Sequence, residues 1–403
     1  MKEFDVIVVG GGAAGFFAAI NIAHRNPDLK IAVLERGNTG LQKEKISGGG
    51  RCNVTHAEFV PSDLVMNYPR GEKELLGPFH HFMTGDTIAW FEERGVELKI
   101  EEDGRMFPVS NSSQTIIDCF LKEAEKLNIN IFYGYSLKDI HQRSSLWQLN
   151  TTKGQLACKK LVLATGSNTK VWSLLTNLGH SIVEPVPSLF TFDINDKRIQ
   201  NIPGVVVKSV HIKVVGSNLS SSGPLLITHV GMSAPAILKL SAFGAFELAE
   251  RNYNFKIEIN FVGKSMEQVI SELKNFKRTF SRKFVSKSNQ FDIPKRLWRN
   301  LVRSAHISEE TNWADLNKAQ TENFAKQLVQ ARFHVTGKST FKEEFVTAGG
   351  VDLKEVNFTT FESKKFKNLY FAGEILNIDA VTGGFNFQNA WSGAYILAKS
   401  INT

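Results

Sequence analysis

Glycines with the spacing of a phosphate-binding turn stand near the start of the chain. They read Gly10-x-Gly12-x-x-Gly15, and an acidic residue, Glu35, follows 20 residues after the last of them. Glycines at this spacing allow a tight turn, close approach of a pyrophosphate to backbone N–H groups, and close packing of a helix on a strand. A carboxylate at Glu35 accepts hydrogen bonds from both hydroxyls of a ribose and would repel a 2′-phosphate. The pattern therefore predicts a dinucleotide site and disfavours NADP in it.

The segments on either side of the glycines predict the elements that position them. Phe4–Val9 and Ile31–Leu34 are short β-branched runs typical of buried strands, and Phe16–His24 has the pattern of a helix. With both strands, the helix and the acid in register, the glycines indicate a Rossmann-type β-α-β unit rather than an isolated turn. Gly37–His56 is expected to be a polar, glycine-rich loop.

Two later segments favour FAD over NAD. Leu161–Gly166 is similar to the second strand-turn of flavoproteins with two dinucleotide-binding domains, and Tyr370–Glu374 is a strand ending in Ala-Gly-acid. An acid there meets ribitol hydroxyls, and the helix predicted to begin after Thr382-Gly383-Gly384 would face the flavin pyrimidine, where reduction builds negative charge. No second glycine fingerprint occurs in residues 167–340. NAD(P)H, if it is a transient electron donor, would reach the flavin without a Rossmann domain of its own.

The predicted elements change in character along the chain. From about Leu189, short β-rich runs replace the nucleotide-fold pattern, and helical patterns follow over about 263–330. The nucleotide-fold pattern returns near Asn368. We therefore expect an FAD-binding domain in two parts, 1–188 and 341–403, with an inserted β-rich module at 189–340 that carries a helical subdomain.

Composition excludes several other classes of protein. Hydrophobic residues make up 42% and charged residues 22% of the 403 residues, which is ordinary for a globular chain. No apolar run is long enough to span a membrane, and no signal peptide is legible. The three cysteines are odd in number and far apart, so we expect no disulfide framework and a cytoplasmic location. No His/Cys/acid spacing typical of a metal site occurs, so we predict no metal.

Positive charge is concentrated in one segment. Residues 256–303 contain twelve Lys/Arg and four Asp/Glu, which accounts for the whole net charge of +8. A solvated face of a helical subdomain is the favoured explanation. A patch for phosphate-bearing partners, whether nucleotide, nucleic acid or membrane surface, is the alternative.

Motifs along the whole chain resemble those of one family. Lys45–Thr55, with the core Ser-Gly-Gly-Gly-Arg-Cys-Asn, Thr228–Ala236, and several segments between Thr347 and Asn386 follow the order of the signatures of the YhiN/BaiN-like flavoproteins, also labelled aminoacetone-oxidase-like. One departure from that pattern is Ala234, where the family usually has glycine.

This resemblance implies an α/β fold: a Rossmann-like FAD-binding domain of the two-dinucleotide-binding-domain type, interrupted by a β-barrel-like insertion that carries a helical subdomain. It also implies a cytoplasmic flavoprotein with non-covalent FAD. Together with the glycine turn, it predicts the following cofactor-binding residues: Gly10, Gly12, Ala13, Ala14, Gly15, Glu35, Arg36, Lys45, Ser47, Gly49, Gly50, Arg51, Cys52, Asn53, Leu137, Ala164, Thr165, Gly166, Gly373, Glu374, Gly384, Phe385 and Asn386.

Two residues are candidates for catalysis. Cys52 follows an arginine in a glycine-rich loop, a setting that can lower the pKa of a thiol, although a small packing residue against the cofactor is the favoured explanation. His229 lies in a Thr-His-x-Gly loop and is a candidate acid/base, with a plain structural role as the alternative.

Three functions remain open on the sequence. The leading hypothesis is an FAD-dependent oxidoreductase that reduces a small organic substrate with NAD(P)H. The alternative is a flavin-dependent amine or ketone oxidase that produces peroxide. A third, disfavoured hypothesis is a flavin-carrying protein whose basic segment docks nucleic acid. We expect no membrane partner, and the substrate, the physiological electron acceptor and the oligomeric state stay undetermined.

Overall fold

The computed structural model describes residues 2–339 and 346–401, and these residues form two compact units. Unit 1 consists of the chain up to Val186 together with the C-terminal residues from 346 onward. Unit 2 begins at Pro187 and extends through 339. The expected domain boundaries were 188/189 and 340/341, and the second of these lies outside the described residues.

The first part of unit 1 contains ten strands and seven helices among the described residues. Their bounds are β1 Lys2–Val9, α1 Ala13–Arg25, β2 Ile31–Glu35, α2 Gln42–Gly50, β3 Thr55–His56, α3 Pro61–Val65, α4 Glu72–Phe79, α5 Thr84–Glu92, β4 Leu98–Ile100, β5 Arg105–Pro108, α6 Ser113–Lys126, β6 Asn130–Tyr133, β7 Leu137–Arg143, β8 Leu146–Thr151, β9 Gly154–Leu163, α7 Thr169–Asn177 and β10 Ile182–Ser188.

Unit 2 contains an antiparallel sheet, and its helices lie between strands along the chain. Its elements are β11 Thr191–Asp193, β12 Val206–Val214, β13 Ser220–Ile227, β14 Gly231–Ser233, α8 Pro235–Phe243, α9 Ala245–Glu250, β15 Phe255–Asn260, α10 Met266–Thr279, α11 Lys295–Ser304, α12 Lys318–Val329, β16 Ala331–Val335 and β17 Gly337–Ser339. The C-terminal part of unit 1 adds β18 Val346–Val351, β19 Val356–Asn357, β20 Glu362–Ser363, β21 Leu369–Phe371 and α13 Phe385–Ser400.

The main sheet of unit 1 is parallel at its centre. Its order runs β19-β20-β21-β9-β1-β2-β6, and the four pairs from β21 to β6 are parallel. The register sets Val9 beside both Leu34 and Leu163, and Phe371 beside Leu163. The carboxyl ends of these strands therefore meet at one edge, which is where open α/β sheets bind ligands.

Helices α1 and α13 bury apolar faces in a core rich in aromatic rings. Phe17 on α1 lies 5.1 Å from Trp391 on α13 and 4.6 Å from Trp90 on α5, measured between ring centroids. Phe120 on α6 packs on the same Trp391 ring at 5.6 Å. Large rings contribute much of the burial energy of a core. These contacts hold the N-terminal and C-terminal parts of unit 1 together.

Unit 2 has its own core between sheet and helices. The sheet order is β16-β15-β12-β13-β14-β11-β17, with antiparallel pairing throughout. On α11, Leu297, Trp298 and Leu301 are buried, and the Trp298 ring lies 5.0 Å from that of Phe324 on α12. The basic residues of α11 occupy the opposite, solvent-facing side, as expected for an amphipathic helix.

The expected mixed α/β fold with a Rossmann-like FAD-binding unit is confirmed. One local expectation is wrong: Gly37–His56 is not simply a loop, because residues 42–50 form α2. Its polar residues form a helical first turn, and the helix then breaks at Ser47–Gly49, where Gly48 and Gly49 adopt left-handed backbone angles. The glycines therefore end a helix and begin a turn, and the sequence pattern showed only the turn.

Backbone strain at Ala234 gives the first prediction. Ala234 has φ 80° and ψ 176°, a region that is essentially reserved for glycine and costs about 1–3 kcal/mol for other residues. We expect Ala234→Gly to stabilise the protein by about 1 kcal/mol, seen as a higher urea midpoint. Ala236→Gly, at a helical position two residues later, is the matched control and should destabilise. A lower midpoint for Ala234→Gly would contradict the strain assignment.

Candidate dinucleotide-binding site

The glycine turn lies between β1 and α1 in close contact with the end of β9. A Cβ at Gly10 would overlap the carbonyl oxygen of Ala164, and a Cβ at Gly15 would overlap that of Gly10. Both glycines are therefore required by packing, and their part in phosphate binding stays a prediction. Helix α1 begins at Ala13 with no side-chain cap from its N-cap residue Gly12, and the backbone of Ala13 forms a hydrogen bond with the Glu44 carboxylate.

Glu35 ends β2 beside this turn. Its carboxylate accepts hydrogen bonds from the backbone N–H of Gly11 at 2.9 Å and of Gly37 at 2.6 Å. These two bonds fix the carboxylate at the strand end, where the sequence predicts it to bind ribose hydroxyls. Arg36, the next residue, is exposed.

The ends of β9 and β21 bring the second half of the predicted site to the same edge. Thr165 follows β9, and its buried hydroxyl has no hydrogen-bond partner among the described residues. A Cβ at Gly166 would lie 3.6 Å from Oε2 of Glu374, and Glu374 forms an ion pair with Lys43 of α2. A Cβ at Gly373 would lie 3.1 Å from that of Ala14, which brings the end of β21 against α1.

The turn after α2 carries the Ser-Gly-Gly-Gly-Arg-Cys-Asn motif. A Cβ at Gly49 would meet no atom within 4 Å, so the backbone borders open space there. Asn53 is buried, and its side-chain oxygen accepts a hydrogen bond from the N–H of Met106 at 3.3 Å. Ser47 accepts the N–H of Cys52 through its carbonyl at 3.0 Å, which closes the turn. Lys45 and Gly50 are exposed on this turn.

Arg51 is already engaged within the protein. Its guanidinium contacts the carboxylate of Glu101 at 2.5 Å and lies 3.9 Å from the centre of the Phe107 ring. These contacts position Arg51 over the β4–β5 hairpin. Its role in neutralising a pyrophosphate therefore stays a prediction that requires a second contact or a rearranged side chain.

Cys52 is fully buried with a left-handed backbone, φ 60°. Burial raises the pKa of the Cys52 thiol far above its ordinary value, and the nearby Glu44 carboxylate raises it further. The structure gives no sign of the lowered pKa that was the less favoured alternative on the sequence, because the arginine contacts Glu101 and the thiol is buried. The geometry favours the packing role over that of a reactive thiolate.

The N-terminus of α13 completes the edge. Phe385 is buried, and its ring stacks on that of His56 at 4.5 Å. His56 Nδ1 lies 3.0 Å from the carbonyl oxygen of Gly383, which suits an Nδ1–H donor. The side chain of Asn386 bonds both the N–H and the carbonyl of Ala380, at 3.0 and 3.3 Å, so it fixes the preceding loop.

Two predicted residues lie elsewhere. Leu137 is buried on β7, in the antiparallel branch of the sheet. His229 belongs to unit 2, exposed in the turn between β13 and β14. Thr228 shapes that turn, since its hydroxyl accepts the N–H groups of Val230 and Gly231 at 3.3 and 3.0 Å. The assignment of Leu137 to cofactor binding and that of His229 to acid/base chemistry stay predictions.

Sequence reasoning missed His56, Arg70 and Glu44. Arg70 forms a two-pronged ion pair with the fully buried Asp379, with Nε 2.5 Å from Oδ1. His56 directly follows Lys45–Thr55, so its position in the sequence could have drawn attention to it. Arg70 offered no signal, since its partner is more than 300 residues away.

Glu44 is a buried carboxylate beside the glycine turn. Burial raises the pKa of Glu44 to about 7, against hydrogen bonding from the backbone of Glu44 and Ala13. Its Oε2 atom has no hydrogen-bond partner among the described residues, and Oε1 lies 3.8 Å from the position of a Cβ at Gly12. A group with this pKa is largely protonated below neutrality and ionised above it. The charge at the start of α1 therefore changes near pH 7.

A row of Ser363, His180 and Glu355 elsewhere in unit 1 has the order of a hydrolase triad. His180 lies 2.6 Å from Glu355 and 3.1 Å from the Ser363 hydroxyl. That hydroxyl oxygen is buried and accepts the N–H groups of Lys365 and Phe366. Burial lowers the pKa of His180, and hydrogen bonds led by that from Lys365 hold the pKa of Glu355 at about 2 against the effect of burial. The row therefore ties chain segments together and is closed to substrates.

The residues at the strand edge fit an FAD. Glu35 and Glu374 offer carboxylates for hydroxyl groups, the start of α1 offers N–H groups, and Thr165 offers an unpartnered buried hydroxyl. The open space at Gly49 leaves room for a ligand against the backbone. Within the part of the chain that the structure describes, no group of three or more His, Cys, Asp or Glu side chains is placed to hold a metal ion. Each helix in residues 2–339 and 346–401 is too short or too polar to span a bilayer.

Solved structures with the same fold define the class. The chain aligns with a variant of the Escherichia coli quinol fumarate reductase subunit FrdA at a TM-score of 0.50 and 12% identity, covering 99% of this chain and 70% of that one. It aligns equally with 3-ketosteroid-delta4-(5alpha)-dehydrogenase from Rhodococcus jostii RHA1, at a TM-score of 0.50, 12% identity and coverage of 98% and 97%. At such identity the likeness shows the fold alone. With the site above and the relatives below, it defines an FAD-dependent oxidoreductase.

The chain belongs to the HI0933-like protein Rossmann domain family, whose model matches residues 4–400. The ribosomal RNA dihydrouridine synthase of Escherichia coli is 27% identical over 416 residues, covering 100% of this chain and 98% of the relative. That of Haemophilus influenzae is 27% identical over 412 residues, covering 98% of each. The 3-dehydro-bile acid delta(4,6)-reductase of Clostridium scindens is 24% identical over 407 residues, again covering 98% of each. The resemblance stated from the motifs is confirmed.

Gly49 allows a direct test of the cofactor position. We expect Gly49→Ala to lower FAD occupancy at least tenfold, because the new methyl group enters the open space that the cofactor would fill. Gly95→Ala is the matched control: its φ of 75° is close to the 69° of Gly49, and its Cβ would also meet nothing within 4 Å. Both changes cost about 1 kcal/mol of backbone strain, so an equal FAD content in both variants would place the cofactor elsewhere. Flavin absorbance per protein is the measurement.

Glu44 predicts a pH dependence of stability. Because the pKa is raised from 4.5 in the unfolded chain to about 7 in the fold, the folded state binds more protons between these values, and stability falls as pH rises through that window. We expect Glu44→Gln to remove this fall. With FAD absent from both proteins, the variant should then be more stable than the wild type by up to about 3 kcal/mol at pH 8. Urea unfolding at pH 5 and pH 8 measures it. The control is Glu102→Gln, at an exposed position. The prediction is refuted if the free energy of unfolding changes equally between pH 5 and pH 8 in Glu44→Gln and in the wild type.

Proposed function

We propose that this protein is a flavin-dependent reductase that saturates the C5–C6 double bond of uridine in RNA, with NAD(P)H as the reductant. The overall reaction adds one hydride equivalent from NAD(P)H and one proton from solvent across that bond, giving dihydrouridine and NAD(P)⁺. FAD, when bound, supplies the hydride chemistry. Glu35, Thr165, Gly49 and Glu374 would hold it at the edge of the main sheet.

Reduction is favoured over oxidation by the relatives that match from end to end. Two carry the name ribosomal RNA dihydrouridine synthase, and the third is named a reductase of a bile acid. The C5–C6 bond of uridine is conjugated to the C4 carbonyl, which makes it electron-poor and open to hydride addition. Reduction of a conjugated double bond is the reaction that best accounts for the names of all three relatives.

The observation that supports RNA over a small molecule is the charge distribution of this chain. Residues 256–303 carry a net +8, while the rest of the chain is neutral by formal count. A small neutral substrate has no use for such a segment, whereas a polyanion gains affinity from it through counterion release. The hypothesis of a small organic substrate stays as the second candidate, supported by the bile acid reductase relative.

Proton delivery is the step that this chain's own residues would perform. Cys52 stays protonated because burial raises its pKa, which makes it a poor proton donor as well as a poor nucleophile. His229 is exposed in the turn between β13 and β14. Cys52→Ser and His229→Asn, compared for the rate of product formation at saturating NAD(P)H, identify which of the two is required.

The activity is tested with FAD-loaded protein, an unmodified ribosomal RNA transcript and NADH or NADPH under anaerobic conditions. We expect dihydrouridine, identified by its mass after nuclease digestion, in amounts matching the nicotinamide oxidised. Flavin that bleaches with a nicotinamide but consumes only a conjugated ketone would favour the second candidate. Flavin that resists both nucleotides but is bleached by an amine, with peroxide on re-oxidation, would overturn the proposal in favour of an oxidase.

A further inference from the structure

A groove in unit 2 concentrates lysines that the fold itself does not use. It encloses about 550 Å³, and its lining includes Lys208, Lys283, Lys287, Lys295 and the ring of Phe291; we call these five residues the lysine groove. Lys208 pairs with Asp292 at 3.0 Å on the exposed rim. Among the described residues, Lys283, Lys287 and Lys295 have no carboxylate partner, and all three are exposed. The groove therefore holds three unneutralised positive charges.

The positive surface continues onto α11. Lys295, Arg299 and Arg303 follow one another at four-residue spacing on its exposed side. Like charges at this spacing repel and weaken a helix by a few tenths of a kcal/mol per pair, about 0.2–0.5. One acid, Glu309, faces this cluster: it pairs with Arg303, and Arg299 and Lys287 lower its pKa as well. The remaining positive charges exceed the acid that faces them, so a polyanionic partner would complement this surface.

Local hydrogen bonds and ring contacts hold the floor of the groove. Ser288 donates to the carbonyl of Phe284 at 2.9 Å, and Asn289 accepts the N–H of Phe291 at 3.0 Å. Phe291 is half-buried, with its ring 5.8 Å from that of Phe276 and 6.1 Å from that of Trp298. The rings of Phe280 and Phe284 lie 5.1 and 5.0 Å from the ammonium groups of Lys283 and Lys287. Aromatic rings among lysines offer stacking surfaces for bases beside contacts for phosphates.

We propose that the lysine groove and the basic side of α11 bind single-stranded RNA, holding the substrate of the reductase. This inference rests on the proposed function, since it names the surface that takes the RNA. Membrane lipid is the weaker candidate: of the large apolar side chains that are exposed, only Val206 lines the groove, so nothing there would insert into a bilayer.

The experiment uses the full chain with FAD bound. The probe is a fluorescent oligouridylate of about 20 nucleotides, longer than the strand length that one small binding module covers. The groove variant is Lys283→Gln, Lys287→Gln and Lys295→Gln combined. The control variant, Lys73→Gln, Lys122→Gln and Lys399→Gln, removes the same charge from exposed positions of unit 1. A third protein carries arginine at the three groove positions, which keeps the charge.

The groove variant should weaken RNA binding at least tenfold. It should also reduce the slope of log Kd against log salt by about 2, since three phosphate contacts are lost at roughly 0.7 each. The control and arginine variants should bind as the wild type does. Unchanged Tm and flavin absorbance establish that each variant is folded.

Outcomes that overturn this inference are separate from failure of the proposed function. Equal losses of RNA binding in the groove and control variants would mean that only net charge matters. If anionic phospholipid vesicles bind through the groove and RNA does not, the surface binds a membrane instead. Dihydrouridine formed equally well by the groove variant at limiting RNA would also refute it, while leaving the proposed reaction intact. If RNA binds through the groove but is never reduced, the proposed reaction is refuted and the RNA-binding surface is still supported.

Discussion

Close approach of helix α1 to strand β1 is the constraint on which the nucleotide site depends. A Cβ at Gly15 would overlap the carbonyl oxygen of Gly10, so the helix can pack at this distance only because residue 15 is glycine. A Cβ at Gly10 would overlap the carbonyl oxygen of Ala164, so the turn can lie against the end of β9 only because residue 10 is glycine. The close approach of the helix also directs the start of α1 toward the edge where β1, β2, β9 and β21 end. Because the paired strands are parallel, their carboxyl ends all lie at that edge, which brings together residues from distant parts of the chain.

Carboxylates dominate the polar groups at this edge, and each is controlled in a different way. Glu35 is fixed by two backbone N–H groups, Glu374 is paired with Lys43, and Glu44 is buried with one oxygen unpartnered. The first two arrangements keep acceptors ready for hydroxyl groups. The third places a group that ionises near neutrality beside the position where phosphates would bind. The edge thus offers fixed acceptors that suit the sugar hydroxyls of the predicted dinucleotide, beside a carboxylate that ionises near neutrality.

Unit 2 differs in its electrostatics from unit 1. Both units contain paired charges, such as Arg70–Asp379 and Lys43–Glu374 in unit 1 and Lys213–Glu258 and Lys264–Glu272 in unit 2. In unit 2, the lysines of the groove and the arginines of α11 outnumber the acids that face them. On the sequence alone, a reductase and a nucleic-acid-binding protein were alternative hypotheses for the function. A reductase whose substrate is RNA accounts for both the flavin site and the unpaired charge.

The sequence by itself determined the Rossmann-like unit, the FAD class and most of the residues at the strand edge, because glycine spacing and strand patterns are local signals. The helix predicted over Phe16–His24 lies within α1, and the helix predicted to begin after Gly384 is α13, which begins at Phe385. Only the tertiary structure decided that Arg51 faces Glu101, that the Cys52 thiol is buried, that Glu44 lies beside α1, and that Arg70 pairs with Asp379. Burial and the identity of a partner depend on segments hundreds of residues apart, and no local pattern encodes which of them will meet. The pKa of each group, and hence its chemistry, follows from that meeting.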